Sequence, residues 1–163
     1  MLSSVARLLR NVSYWLLNMV CEDCGAALIG VEQCRNYFGY CMEKEFVDPE
    51  YFAVHHLTVA AYMLQHSADL SERGWREMRA MLTAFLIEGK TSAQMRVESR
   101  DRVDSGKRTW SLTKGPKGQL PKPMQWTRTI ADVSLADAAT YCRDVEAWAR
   151  AVLADLERGN CDS

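Results

Sequence analysis

Asp48-Pro49 interrupts two stretches of helical periodicity, and no other feature constrains the fold of this chain as tightly. Proline lacks a backbone N–H and disfavours a helical conformation in the residue before it, so a helix arriving from the N-terminal side must end there. The same dipeptide starts the next helix, with an aspartate cap, proline at the first helical position, and Glu50 and Tyr51 in the first turn. A helix over Val31 to Phe46, with Cys34, Phe38, Cys41 and Glu45 on one stripe, is therefore expected to turn back on a helix from Pro49 to about His66. So short a connection makes the two helices antiparallel neighbours, and residues equidistant from Asp48 should face each other. Cys41 is then set opposite His55, and Cys34 opposite Tyr62, within about one helical turn of His66.

The rest of the chain reads as helix as well. Ser71 and Glu72 open a helix to about Gly89 whose apolar face is Trp75, Met78, Leu82, Phe85 and Leu86. A shorter helix is expected over Ser92 to Val103. The stretch from Asp104 to about Trp126 holds Gly115, Pro116, Gly118 and Pro121 and reads as loop. A long helix from Asp132 or Ser134 closes the chain, with Val145, Trp148, Ala149 and Val152 on its core face. Alternating polarity is confined to Thr109 to Thr113, so the fold class is all-α, a compact helical domain built on an antiparallel helical hairpin.

At 163 residues the chain suffices for one domain, over 21–163, with a loop rich in basic residues at about 104–128. Residues 1–20 place Val5, Leu8, Leu9, Val12, Leu16 and Met19 at helical spacing and are expected to form an amphipathic helix or an extension. Arg10 and Asn11 interrupt the apolar run and no small-x-small site precedes Cys21, which speaks against a signal peptide. No stretch approaches the ~18 consecutive apolar residues of a membrane span. A formal charge of −1 excludes the global basicity that would demand nucleic acid as a partner. Six cysteines, unevenly placed, are too few for a disulfide scaffold and suit the reducing cytoplasm.

All three histidines, His55, His56 and His66, fall between residues 55 and 66, and Cys21-x-x-Cys24, Cys34 and Cys41 lie upstream of them. Nitrogen and sulfur donors this close in sequence point to a bound metal, with zinc the natural choice. On one helix His55 and His66 would lie about 16 Å apart at 1.5 Å per residue. A single zinc with bonds of about 2.0–2.3 Å cannot hold both. Cys21 and Cys24 arrive at the His66 end, and Gly25 lets the backbone turn beneath the sulfurs as a knuckle. The expected site is therefore zinc on Cys21, Cys24, Cys34 and His66, a closed Cys3His set of the structural type. Two alternatives stay open: zinc on Cys21 and Cys24 with another pair that includes His55, and reduced cysteines beside a packed histidine with no metal.

The other end of the hairpin is the alternative chemical site, with candidate catalytic residues His55 and Cys41. A thiolate facing an imidazole is a starting arrangement for nucleophilic catalysis, and Glu45 and Thr58 are placed to orient it. Against this stands the plainer reading of His55 as a satisfied core histidine. A third possibility is single-stranded nucleic acid gripped by Arg100, Arg102, Lys107, Arg108, Lys114, Lys117, Lys122 and Arg128, interleaved with Trp110 and Trp126. The alternative there is a solvated loop anchored by its tryptophans.

The run FVDPEYFAVHHLTVAAYMLQH, preceded by CEDCGA and Cys34 and followed by TIADVSLADA and VEAWARAV, resembles the bacterial family of unknown function DUF5946. The resemblance covers most of the chain from Cys21 onward, and Asp48 to His66 is its most specific part. It matches the family's Cys-x-x-Cys-Gly start, a cysteine at Cys34, and histidines at His55 and His66. It departs from the family pattern at His56 and over Arg76 to Met81. The resemblance implies no activity, so the reading that remains is a zinc-binding helical module that binds or regulates a partner, with a metal- or cysteine-dependent enzyme at the His55 end as the alternative.

Overall fold

A computed structural model describes residues 20–28, 33–91, 93–95, 97–98, 113 and 125–161. Its helices are α1 (Cys34–Val47), α2 (Pro49–Phe52), α3 (His55–Gln65), α4 (Glu72–Leu86) and α5 (Ala138–Cys161), with single 3-10 turns at Ser67–Asp69 and Ile130–Asp132. Among the described residues the only extended pairing is one antiparallel bridge, Val20 with Ala27, so the all-α class holds. The expected amphipathic helix over 1–20 and nearly all of the basic loop lie outside the described residues, as does most of Thr109 to Thr113.

The punctuation at Asp48-Pro49 acts as the sequence requires. The Asp48 carboxylate accepts from the backbone N–H of Glu50, and Pro49 takes the first position of α2. Ser71 likewise caps α4 by accepting from the N–H of Gly74, and beyond that helix Gly89 sits at φ +68°.

The helix expected to run unbroken from Pro49 to His66 is instead two helices. α2 stops at Phe52, Ala53 and Val54 form a turn with Val54 at φ −108° and ψ 9°, and α3 begins at His55. The Val54 carbonyl accepts from both Leu57 N–H and Thr58 N–H, which tightens the first turn of α3. Cross-hairpin partners are consequently displaced by one turn: Phe38 stacks on Tyr62 with centroids 4.0 Å apart, and Glu45, not Cys41, meets His55. These pairs are centred on Glu50 rather than Asp48, because the reversal occupies the whole of Asp48 to Val54.

Helix α3 is the central element. Leu57, Thr58, Ala60, Ala61, Tyr62, Leu64 and Gln65 are all buried, as expected of a helix enclosed by neighbours rather than lying on a surface. It packs against α1, α4 and α5. Helix α5 supplies the opposing stripe, Tyr141, Val145, Trp148, Ala149, Val152 and Leu156, at the three- and four-residue spacing of one helical face. Met78, Leu82 and Leu86 close the core from α4.

Polar staples fasten the segment that leads into α5. Trp148 Nε1–H donates to the Gln65 side chain at 3.1 Å, while the Gln65 amide donates to the Arg128 carbonyl at 2.7 Å. Tyr37 donates to the Val133 carbonyl at 2.5 Å, and buried Asp155 accepts from Thr127 N–H at 2.8 Å and from Arg158. Two consequences follow for function: α1 and α3 are held antiparallel, and each end of their seam presents a different polar cluster.

Candidate metal centre

At one end, the chain from Val20 to Leu28 folds as a knuckle over the start of α1. Gly25 N–H donates to the Cys21 carbonyl at 2.8 Å and Cys21 N–H to the Ala26 carbonyl at 2.9 Å. The turn requires Gly25 at φ +74°, a conformation that side-chain-bearing residues rarely adopt. It brings Cys24 Sγ to 3.6 Å from Cys34 Sγ, and Cys21 Sγ to 3.4 Å from His66 Nε2.

The donor atoms of Cys21, Cys24, Cys34 and His66 all lie within 4.8 Å of one another, close enough to hold a metal ion. A tetrahedral site with bonds of about 2.3 Å has ligand–ligand edges of about 3.8 Å, so the spacing suits three sulfurs and a nitrogen around one ion. His66 is oriented for that role: its Nδ1 donates to the Tyr62 carbonyl at 2.8 Å, which leaves Nε2 as the free donor atom. The Tyr62 ring stacks on the imidazole at 4.0 Å and fixes its plane. Cys24 and Cys34 are buried, while Cys21 and His66 are partly exposed.

Electrostatics at the cluster already favour ionised sulfur. The Cys24 thiol is drawn down to about 4, chiefly by the hydrogen bond from Cys34, against the effect of burial and with help from His66. Cys34 is raised above the ordinary thiol range by that same hydrogen bond and by burial. Burial pulls His66 down, but hydrogen bonds to Cys24, the Tyr62 carbonyl and Cys21 outweigh it and carry the imidazole up to about 9. These shifts favour negative charge on Cys24 and positive charge on His66.

At the other end stands a second cluster. Glu45 is 1% exposed. Thr58 and Tyr141 each donate a hydroxyl to its Oε1 at 2.6 Å, and its Oε2 lies 2.6 Å from His55 Nδ1. His55 therefore pairs with a carboxylate rather than with Cys41. Cys41 is fully buried, and burial pushes its thiol up to about 12, far from a thiolate at neutral pH. The spacing placed Glu45 and Thr58 beside His55, but Tyr141 could not be foreseen, because it reaches the cluster from a helix 96 residues away in sequence. Of the basic residues considered for nucleic acid, Arg128 is described and Arg100, Arg102, Lys107, Arg108, Lys114, Lys117 and Lys122 lie outside the described residues.

A family model described as a family of unknown function, DUF5946, matches residues 19–157. The chain belongs to that family. The DUF5946 match takes in the knuckle, both seam helices and nearly all of α5, so both polar clusters lie inside it. No curated protein and no solved structure matches the chain. Among the described residues no helix is long and apolar enough to cross a membrane.

Proposed function

We propose that Cys21, Cys24, Cys34 and His66 bind one zinc ion, and that residues 21–163 form a cytoplasmic helical module that zinc clamps at one end and that binds or regulates a partner. The proximity of the four donor atoms, all within 4.8 Å, carries this reading. Three soft sulfurs and an imidazole favour zinc over magnesium or calcium, which prefer oxygen. Four protein ligands leave no position for water or substrate, so the ion is a structural clamp rather than a Lewis acid. Exposed Tyr40, Phe46 and Val47 on α1 support a role in binding a partner.

Elemental analysis of the purified protein should return about one zinc per chain, with anomalous scattering at the zinc edge centred among the four residues. Cys34→Ala should release the metal and lower the thermal midpoint. A Cys34→Ala protein with undiminished zinc would contradict the proposed ligand set.

A further inference from the structure

We propose that His55 is a general base, held by Glu45 so that its Nε2 takes a proton from water during hydrolysis of a neutral acyl ester with an apolar group. The inference is independent of the metal reading, since it concerns the opposite end of the α1–α3 seam. It starts from the cost of burying Glu45. A carboxylate 1% exposed is tolerated only when its oxygens are supplied with donors. Two hydroxyls, from Thr58 and Tyr141, converge on Oε1, and Oε2 is met by His55 at 2.6 Å.

The hydroxyls of Thr58 and Tyr141 both donate to Oε1, which marks the carboxylate as an acceptor and puts the proton of the Oε2 contact on Nδ1. A neutral imidazole with its proton on Nδ1 carries its lone pair on Nε2. No hydrogen bond engages Nε2 among the described residues, and the His55 side chain is 22% exposed. The ring is also fixed in direction: Phe52 lies flat against it at 4.8 Å, and Phe46 meets it edge-on at 5.6 Å. Thr58 and Tyr141 from α3 and α5 would by themselves tie Glu45 into the core. What His55 adds is a basic nitrogen on a partly exposed side chain, aligned by a buried carboxylate, which is the orienting half of a hydrolytic triad.

The surroundings define the substrate class. Phe46 and Phe52, with ring centroids 6.2 Å apart and planes tilted by 52°, offer apolar surface beside the imidazole, and Phe46 itself is 73% exposed. The turn between them carries Asp48 and Glu50, which disfavours an anion. Cys41 and Cys142, the nearby thiols, are raised by burial and stay neutral. In the reaction Nε2 accepts a proton from water as the water oxygen bonds to the acyl carbon. The bond from that carbon to the leaving oxygen then breaks, and the imidazolium, stabilised by Glu45, returns its proton to the leaving group. Ester and water become acid and alcohol with His55 restored.

The test uses the full zinc-loaded chain and p-nitrophenyl acetate as probe. His55→Gln should lower hydrolysis about tenfold or more. Glu45→Gln is the sharper variant, since its carbonyl still accepts from Thr58 and Tyr141 while its amide donates to Nδ1 and moves the imidazole proton to Nε2. It should lose hydrolysis to a similar extent, with 15N NMR showing the His55 tautomer exchanged. A parent protein no faster than buffer, a His55→Gln variant as fast as the parent, or a parent His55 already protonated on Nε2 would each overturn the proposal. A Glu45→Gln variant in which the tautomer exchanges while hydrolysis stays at the parent rate would make Glu45 and His55 purely structural, which also overturns it.

Discussion

At the scale of single residues, the protein concentrates its ionisable chemistry in two clusters whose behaviour differs because their solvation differs. At the metal centre, Cys24 is drawn down to about 4 while His66 is carried up to about 9 and Cys34 is raised. Zinc needs thiolates and a neutral imidazole, so binding near pH 7 must expel the His66 and Cys34 protons. Zinc affinity should therefore fall on acidification and increase with pH through the His66 range near 9, with the raised Cys34 thiol extending the increase beyond it. Isothermal titration in buffers of different ionisation enthalpy should report that proton release. Glu45 makes the opposite point, since its value lies in what it satisfies. Glu45→Ala would strand the hydroxyls of Thr58 and Tyr141 in the core and should cost about 3 kcal/mol in urea unfolding. Four of these residues, Cys21, Cys24, Cys34 and His66, were legible from spacing and residue type. Glu45 was placed near His55 as an orienting group, but one turn of register decides that its carboxylate, and not the Cys41 thiol, faces the imidazole.

Among the elements, the best-determined features are those with a local cause. Asp48 caps α2 and Ser71 caps α4 through backbone hydrogen bonds that each sequence motif requires. Replacing Ser71 with alanine should cost about 1 kcal/mol, read as a lowered urea midpoint. The knuckle depends on one conformation: Gly25 sits at φ +74° with nothing within 4 Å of where a Cβ would stand. Gly25→Ala is thus unfavourable through backbone strain alone, about 1 kcal/mol or more, and should weaken zinc roughly fivefold in competition with a chelator. The break at Ala53–Val54 has no such local signal. Neither glycine nor proline marks it, and Val54 is buried in the core. Packing between α1, α3 and α5 sets that turn, and the turn in turn recentres the hairpin on Glu50.

For the molecule as a whole, the buried residues of the knuckle, Cys24 and Ala26, join one core with the residues of α1, α3, α4 and α5. Trp148, Leu57, Leu64 and Leu82 are fully buried around α3, where α4 and α5 pack against it. Removing zinc with a strong chelator should lower the thermal midpoint yet preserve most of the helical circular dichroism, whereas Trp148→Ala should cost about 3–5 kcal/mol and threaten the fold itself. Loss of nearly all helicity on chelation would show that the clamp organises the whole core. The amino-acid order alone specified what rests on near neighbours: the all-α class, the caps, the apolar faces of α4 and α5, and the grouping of Cys21, Cys24, Cys34 and His66 close enough to hold a metal ion. Those depend on helical periodicity and on chain reach over tens of residues, both readable in one dimension. Tertiary structure decided the register of the seam and, through it, the partner of His55. A carboxylate buried at Glu45 is stable only where hydroxyls from α3 and α5 and the His55 imidazole converge on it, and that convergence exists only once the three helices have packed.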